Sequence, residues 1–111
     1  MDSRLLTGAV EMLVLDVLAR GPNYGYAVTQ SVLDQSRGYF QLKEGSLYPA
    51  LHRMERQGWI SSYWVDTDEG RRRKYYKITS AGQKALNSKR QEWTRFTEAV
   101  NGVLGAALEL A

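Results

Sequence analysis

Four consecutive cations, Arg71-Arg72-Arg73-Lys74, directly follow Gly70. A cationic run of this kind suits contact with phosphates or insertion at the minor groove of a duplex. A solvated edge strand defended by its charge is the plainer reading. A second group is Lys43, Ser46, Tyr48 and Arg53. If a helix starts near Ser46, its hydroxyl and the unpaired backbone N–H groups make an anion site, with the other three side chains around it. Ser46 would equally cap the helix, and the two roles are compatible. Trp93 and Phe96, three residues apart, form a third group. On a helix they share a face, where they either stack on a flat ligand or pack in a core. Tyr24, Tyr75 and Tyr76 suit packing of strands on helices, with phosphate contact a further option for Tyr24.

The inventory excludes more than it offers. The chain contains no cysteine and a single histidine, His52. It therefore has no thiolate nucleophile, no zinc site and no catalytic triad. There is no nucleophile–base pair and no complete phosphate loop, since Gly45-Ser46 lacks the rest of that motif. The expectation is a protein that is not an enzyme and needs no cofactor or metal. Absence of cysteine fits a reducing cytoplasm, and no apolar run reaches the roughly 20 residues that span a bilayer. The N-terminus reads as neither a signal nor a transit peptide.

The 111 residues make one compact unit, and a hydrophobic content of 43% supports a core. The net charge is only +3, but it is unevenly placed: residues 43–90 hold eleven basic and five acidic side chains, while both flanks are slightly acidic. A basic segment inside a nearly neutral chain points to a polyanion-facing surface.

The elements that would position these groups follow from periodicity. Leu6, Val10, Leu13, Val14, Val17 and Leu18 fall at helical spacing, predicting a helix over 6–20 that stops at Gly21-Pro22. Asn23 can cap a second helix over 24–36, with Tyr24, Ala27, Val28 and Val32 inward. Leu47, Ala50, Leu51 and Met54 predict a third helix over 44–57, ended by Gly58, with Pro49 tolerated near its first turn. The helical period then ends, and β-branched and aromatic residues take over. Residues 60–65 and 74–79 read as strands joined by the polar loop Asp66 to Gly70. Thr79 or Ser80 begins a last helix, to about residue 108, and Ser80 with Gln83 would form a capping box. Positions 86, 93, 100, 107 and 89, 96, 103, 110 of that helix are apolar except Lys89. So long an apolar seam needs a partner, and a second copy of the chain is the simplest one.

Three helices, a hairpin and a long helix describe an α+β, mainly α fold: a winged helix-turn-helix with a long C-terminal dimerisation helix. Residues 1–79 would be the DNA-binding unit and 80–111 the dimerisation helix. In this architecture the third helix enters the major groove.

Four segments resemble the PadR family of regulators. Gly21-Pro22-Asn23-Tyr24-Gly25-Tyr26 resembles the family's opening of the second helix. Gly45-Ser46-Leu47-Tyr48-Pro49-Ala50-Leu51 resembles its recognition-helix signature. Gly58-Trp59-Ile60 and Arg73-Lys74-Tyr75-Tyr76-x-Ile-Thr-x-x-Gly82 resemble the segments entering and leaving the wing. The resemblance covers about residues 8–86, and the short last helix is similar to that of the compact subgroup. Arg72 stands where many members have proline, which makes the wing tip more basic. The resemblance implies a cytoplasmic, homodimeric, sequence-specific repressor of a palindromic operator in double-stranded DNA. Lys43, Ser46, Tyr48, Arg53 and Arg71 to Lys74 would contact that DNA. It also implies release by a planar aromatic effector at Trp93 and Phe96, or by no small molecule at all. The alternative is a winged-helix module for protein contacts, which has no need of four cations at the wing.

Overall fold

The structure, a computed structural model, describes residues 3–105, with side chains from residue 9 onward. The elements are α1 (Ser3–Ala19), β1 (Asn23–Tyr24), α2 (Gly25–Gln35), α3 (Glu44–Arg56), β2 (Ile60–Asp66), β3 (Arg72–Ile78) and α4 (Ser80–Leu104). The three strands form one antiparallel sheet in the order β1-β3-β2. This is the winged-helix arrangement with the long final helix that the periodicity predicts.

One core closes the molecule. Val10, Val14, Val17 and Leu18 of α1 meet Val28 and Val32 of α2, and Leu47, Leu51 and Met54 of α3. Ile60, Tyr76 and Leu86 bring the hairpin and α4 onto the same cluster. Leu42, in the connection between α2 and α3, is buried in the same core. Leu13 of the predicted apolar face is only half-buried, and Leu6 lies outside the described side chains.

The start of α2 departs from the sequence expectation. Asn23 does not cap a helix. It pairs with Tyr76, and Tyr24 with Tyr75, as a third strand, and Tyr24 becomes the N-cap without a side-chain hydrogen bond. The cause is long-range: the free edge of β3 offers backbone partners that local propensity cannot register.

Helix α3 ends as the sequence predicts. Gly58, at φ 78°, takes the left-handed conformation, while the Trp59 N–H donates to the Met54 carbonyl at 2.9 Å and the Gly58 N–H to Glu55 at 3.0 Å. That is a complete Schellman closure. Pro49, expected near the first turn, is the sixth helical residue. Its missing N–H leaves the Gly45 carbonyl without its usual donor. Gly45 is exposed, so solvent can satisfy that carbonyl.

The wing is longer than its β-type runs suggested. β2 and β3 pair from Ile60↔Ile78 out to Asp66↔Arg72. Only Arg71 of the basic run therefore belongs to the loop. Gly70, at φ 79°, donates its N–H to the Thr67 carbonyl at 3.1 Å and closes the turn.

Thr79, not Ser80, caps α4: its hydroxyl oxygen accepts from the Gly82 N–H at 3.1 Å and donates to the Gly58 carbonyl at 2.6 Å. Gln83 turns to Asn87 at 3.3 Å, so the predicted capping box does not form. A Cβ on Gly82 would lie 2.0 Å from the Trp59 carbonyl oxygen, which is why this position must be glycine. Helix α4 runs to Leu104 and meets Gly105 at φ 94°, short of the predicted residue 108. Residues 106–111, with Ala107 and Leu110 of the heptad, lie outside the described residues.

Two carboxylates of α1 pair with cations of α4. Glu11 lies 3.8 Å from Lys89, and Asp16 pairs with Arg90 as well as with Arg20. Past this attachment the apolar face of α4 is uncovered. Trp93 is 50% exposed, Phe96 57% and Val103 88%.

Candidate nucleic-acid interface

The apolar residues of α3 set its orientation. With Leu47, Ala50, Leu51 and Met54 buried, the helical period turns Gly45, Pro49, His52 and Arg56 to the opposite side, and all four are exposed. This ridge faces away from the core. Lys43, the N-cap, and Ser46, in the first turn, are exposed at its N-terminal end. Ser46 does not cap the helix. Its N–H already donates to the Lys43 carbonyl at 2.9 Å, so the free donors there are its hydroxyl and the first N–H groups.

The sheet supplies the second wall. Residues Ile60, Ser62 and Trp64 share a face with Ile78, Tyr76 and Lys74. Near the core this face packs on α3, where the Ser62 hydroxyl donates to Glu55 at 2.6 Å. Farther out, the hairpin outruns the core, and Trp64 becomes exposed. The opposite face carries a row of rings. Tyr24 and Tyr75 have centroids 5.4 Å apart, and Tyr75 and Tyr63 5.9 Å.

Between α3, the start of α2 and β3 lies a cleft of about 550 Å³. Tyr48 and His52 enter from α3, Tyr26 from α2, and Trp64, Arg73 and Lys74 from the wing. Their cations are stacked rather than free-swinging: the Arg73 guanidinium sits 4.4 Å from the Tyr24 ring centre, and Lys74 Nζ 5.6 Å from that of Tyr76. Such contacts hold a charge in place without neutralising it. Among the described residues, no carboxylate lines the cleft. Burial first, then the nearby Glu55 and Tyr48, push the Tyr76 hydroxyl above its ordinary pKa. Like any phenol it is a protonated donor at neutral pH, and the shift extends that state to more alkaline conditions.

The structure thus brings Tyr48, Arg73 and Lys74 together and leaves Lys43 and Ser46 at the near end of α3. Arg53 flanks the outward ridge: its Nε lies 3.7 Å from Glu11 of α1, while its half-exposed side chain borders the same surface groove as Pro49, His52 and Arg56. Arg71 is exposed in the loop, and Arg72 lies 3.6 Å from Asp66 and 5.1 Å from the Trp64 ring. With Asp66, Asp68 and Glu69 beside them, the tip of the wing is mixed in charge, not uniformly basic. Trp93 and Phe96 stand on the uncovered face of α4, their rings stacked at 5.7 Å and 29°. Among the described residues there is no group of side chains that could hold a metal ion. No helix there is long and apolar enough to cross a membrane.

Sequence reasoning missed Arg56 and Trp64 and did not settle the side of His52. For Arg56 the signal was present: it falls four residues after His52 and seven after Pro49, on one helical stripe. For Trp64 it was absent, because strand alternation puts it in phase with Ile60 and only the length of the hairpin exposes it.

The model of the transcriptional regulator PadR-like family matches residues 14–88. A transcriptional regulator of Mycobacterium tuberculosis is 34% identical over 94 residues, covering 85% of this chain and 84% of its own. A transcriptional regulator from Clostridium thermocellum superposes with a TM-score of 0.82 at 31% identity, covering 89% of this chain and 96% of its own. A PadR family regulator from Clostridium difficile superposes at 0.75 with 36% identity, covering 87% and 99%. These likenesses span the reading helix, the wing and the attachment of α4, and with them the chain belongs to the PadR-like family of transcriptional regulators, DNA-binding proteins that are not enzymes.

Proposed function

We propose that this regulator is a cytoplasmic homodimeric repressor that binds an inverted-repeat operator in double-stranded DNA and occludes a promoter. The observation that carries the DNA side is the carboxylate-free cleft between α3 and the wing, with Arg73 and Lys74 fixed on aromatic rings. The ridge of Gly45, Pro49, His52 and Arg56 beside it fits a major groove: two small or flat positions allow close approach, and two donors reach base edges. Lys43 and Ser46 would meet phosphate at the start of α3, and Tyr48, Arg73 and Lys74 would meet it in the cleft. Arg71 and Arg72 would serve the flanking minor groove, with Arg72 tempered by Asp66. Arg53 contributes to the field of the surface while its partner Glu11 holds it aside.

The uncovered stripe of α4 supports the dimer, since residues 80–111 would bury it against a second copy while residues 1–79 read DNA. The stacked Trp93 and Phe96 support a planar aromatic effector clamped between the two copies of α4. Such a ligand releases DNA only if it binds more tightly to the dimer whose α3 helices are out of register with the operator.

The test is selection of duplexes from a random pool, followed by footprinting. The expected footprint is an inverted repeat with half-sites about 10 base pairs apart, or a multiple of that. Absence of any selected duplex would overturn the DNA reading. Tryptophan fluorescence titration with planar aromatics, wild type against Trp93→Ala, tests the effector. Equal binding by both proteins removes Trp93 from that role.

A further inference from the structure

Between residues 9 and 18 of α1 the only charged side chains are Glu11 and Asp16. Around them Val10, Val14, Leu15, Val17 and Leu18 are buried, so this stretch of helix is core. A carboxylate at the border of a core loses hydration and needs partners in exchange. Glu11 has two, one on each oxygen. Its Oε2 lies 3.7 Å from Arg53 Nε of α3, and its Oε1 lies 3.8 Å from Lys89 Nζ of α4. Lys89 is held in turn by the Trp59 ring, whose centre lies 5.2 Å from Nζ. The side chain of Glu11 is 24% exposed and that of Arg53 50%. The carboxylate is therefore backed by α4, and Arg53 is the partner with an open flank.

That open flank is the ridge. Arg53 borders the same groove as Pro49, His52 and Arg56. Glu55 borders it as well, with its carboxylate accepting from Ser62 at 2.6 Å. Arg53 and Arg56 both lie in the last turn of α3, where a cation already suits the helix dipole. Neither needs a carboxylate for the sake of the helix, yet among the described residues α1 supplies one to Arg53 and not to Arg56. A pair this exposed contributes little to stability. Its consequence is where it keeps the guanidinium.

We propose that Glu11 is a positioning residue for DNA binding: it withholds Arg53 from the duplex backbone beside the ridge and so limits the sequence-independent part of the affinity. The proposal rests on the DNA-binding reading above. A guanidinium engaged by a carboxylate reaches a phosphate only by leaving its partner, so the new contact is offset by the lost one. Without Glu11 the same side chain would meet phosphate outright and release one more counterion. Discrimination between sequences stays with His52 and Arg56, because a backbone contact carries no base information.

The experiment compares wild type, Glu11→Gln, Arg53→Gln and the double variant on one selected duplex and one unrelated duplex over a range of salt. Glutamine keeps the shape of Glu11, and a thermal melt verifies the fold. Glu11→Gln is expected to bind both duplexes about three- to fivefold more tightly, with a salt slope steeper by about one unit. Tighter binding is the informative direction, since damage to α1 would weaken it. Glu11→Asp, which keeps the charge but draws it back by one methylene, should fall between wild type and Glu11→Gln. The double variant should match Arg53→Gln in both affinity and slope. A gain that persists in the Arg53→Gln background would come from the general field or from a released Lys89, and overturns the assignment to Arg53. Wild-type or weaker binding by a folded Glu11→Gln overturns the proposal while leaving DNA binding intact. Failure of the wild type to bind any duplex sinks the parent reading instead.

Discussion

Two glycines in this chain do opposite kinds of work. At Gly82 an added methyl meets the backbone oxygen of Trp59, which Thr79 already ties down through its own N–H at 2.9 Å. Neither side can yield, so Gly82→Ala should destabilise the fold by about 3 kcal/mol or more, read from urea unfolding. At Gly25 the methyl meets only the far end of the Tyr48 side chain. Gly25→Ala should cost stability less than about 1 kcal/mol but displace Tyr48 and weaken DNA binding, so the two variants should separate in paired unfolding and binding assays. The arginines of α3 divide in the same way. Arg56 stands on the outward ridge, whereas Arg53 leans on Glu11. Arg56→Ala should therefore narrow the gap between operator and unrelated DNA by about 1–3 kcal/mol, and Arg53→Ala by much less. Competition binding checks this, and equal effects of the two would mean that the ridge is misassigned. A titration marks Tyr76: its pKa is raised above 10.0 by burial and the neighbouring charges. An acid whose folded pKa is raised contributes stability that is present below the unfolded value and lost as pH rises through the folded one. Unfolding measured at neutral pH and again above pH 10 should show an alkaline loss that Tyr76→Phe lacks.

At the scale of elements, the wing is a strand pair that runs past its support. Its inner half is core, with Ile60 and Tyr76 buried, and its outer half presents Trp64, Arg72 and the acidic turn. The cations proposed to contact DNA, Arg73 and Lys74, sit in the middle, where aromatic rings hold them. Arg73→Ala should weaken binding to every sequence alike and lower the salt slope by about one unit, while Arg72→Ala, whose side chain faces Asp66, should do less. An unchanged slope in Arg73→Ala would show that the wing does not touch phosphate. Helix α4 is likewise divided. Its first half is fixed to α1 by Leu86 and by the Glu11 and Asp16 pairs, and its second half is uncovered. The ion pairs are partly exposed and contribute at most about 1 kcal/mol each, so it is the burial of Leu86 that fastens the helix.

For the molecule as a whole, the uncovered half of α4 matters most. Trp93, Phe96, Val100, Val103 and Leu104 lie exposed on a helix of 25 residues. A soluble monomer seldom leaves such a stripe in water. Sedimentation equilibrium at micromolar concentration should give a dimer. Phe96→Glu should shift it to monomer or unfolded chain, because the charge would be buried in the seam. A wild-type protein that stays monomeric and folded would contradict the pairing. The attachment of α4 to α1, and of α1 to α3 through Glu11 and Arg53, would connect the proposed dimer seam to α3.

The sequence by itself determined what local chemistry determines. Apolar spacing specified α1, α3 and the long α4, Gly58 specified the end of α3, and two β-branched and aromatic runs around the polar loop Asp66 to Gly70 specified the hairpin. The motif residues Gly25, Tyr48 and Gly82 were legible as types, but their reason was not, since each is explained by an atom far away in the chain. Tertiary structure alone decided that Asn23 and Tyr24 form a strand, that Arg53 turns to Glu11 while Arg56 faces outward, and that Trp64 is exposed beyond the core. It also decided where the basic run goes: Lys74 lies on the Tyr76 face of the strand and Arg73 on the Tyr24 face, and both border the cleft. The cleft itself is a property of three elements meeting, and no single segment encodes it.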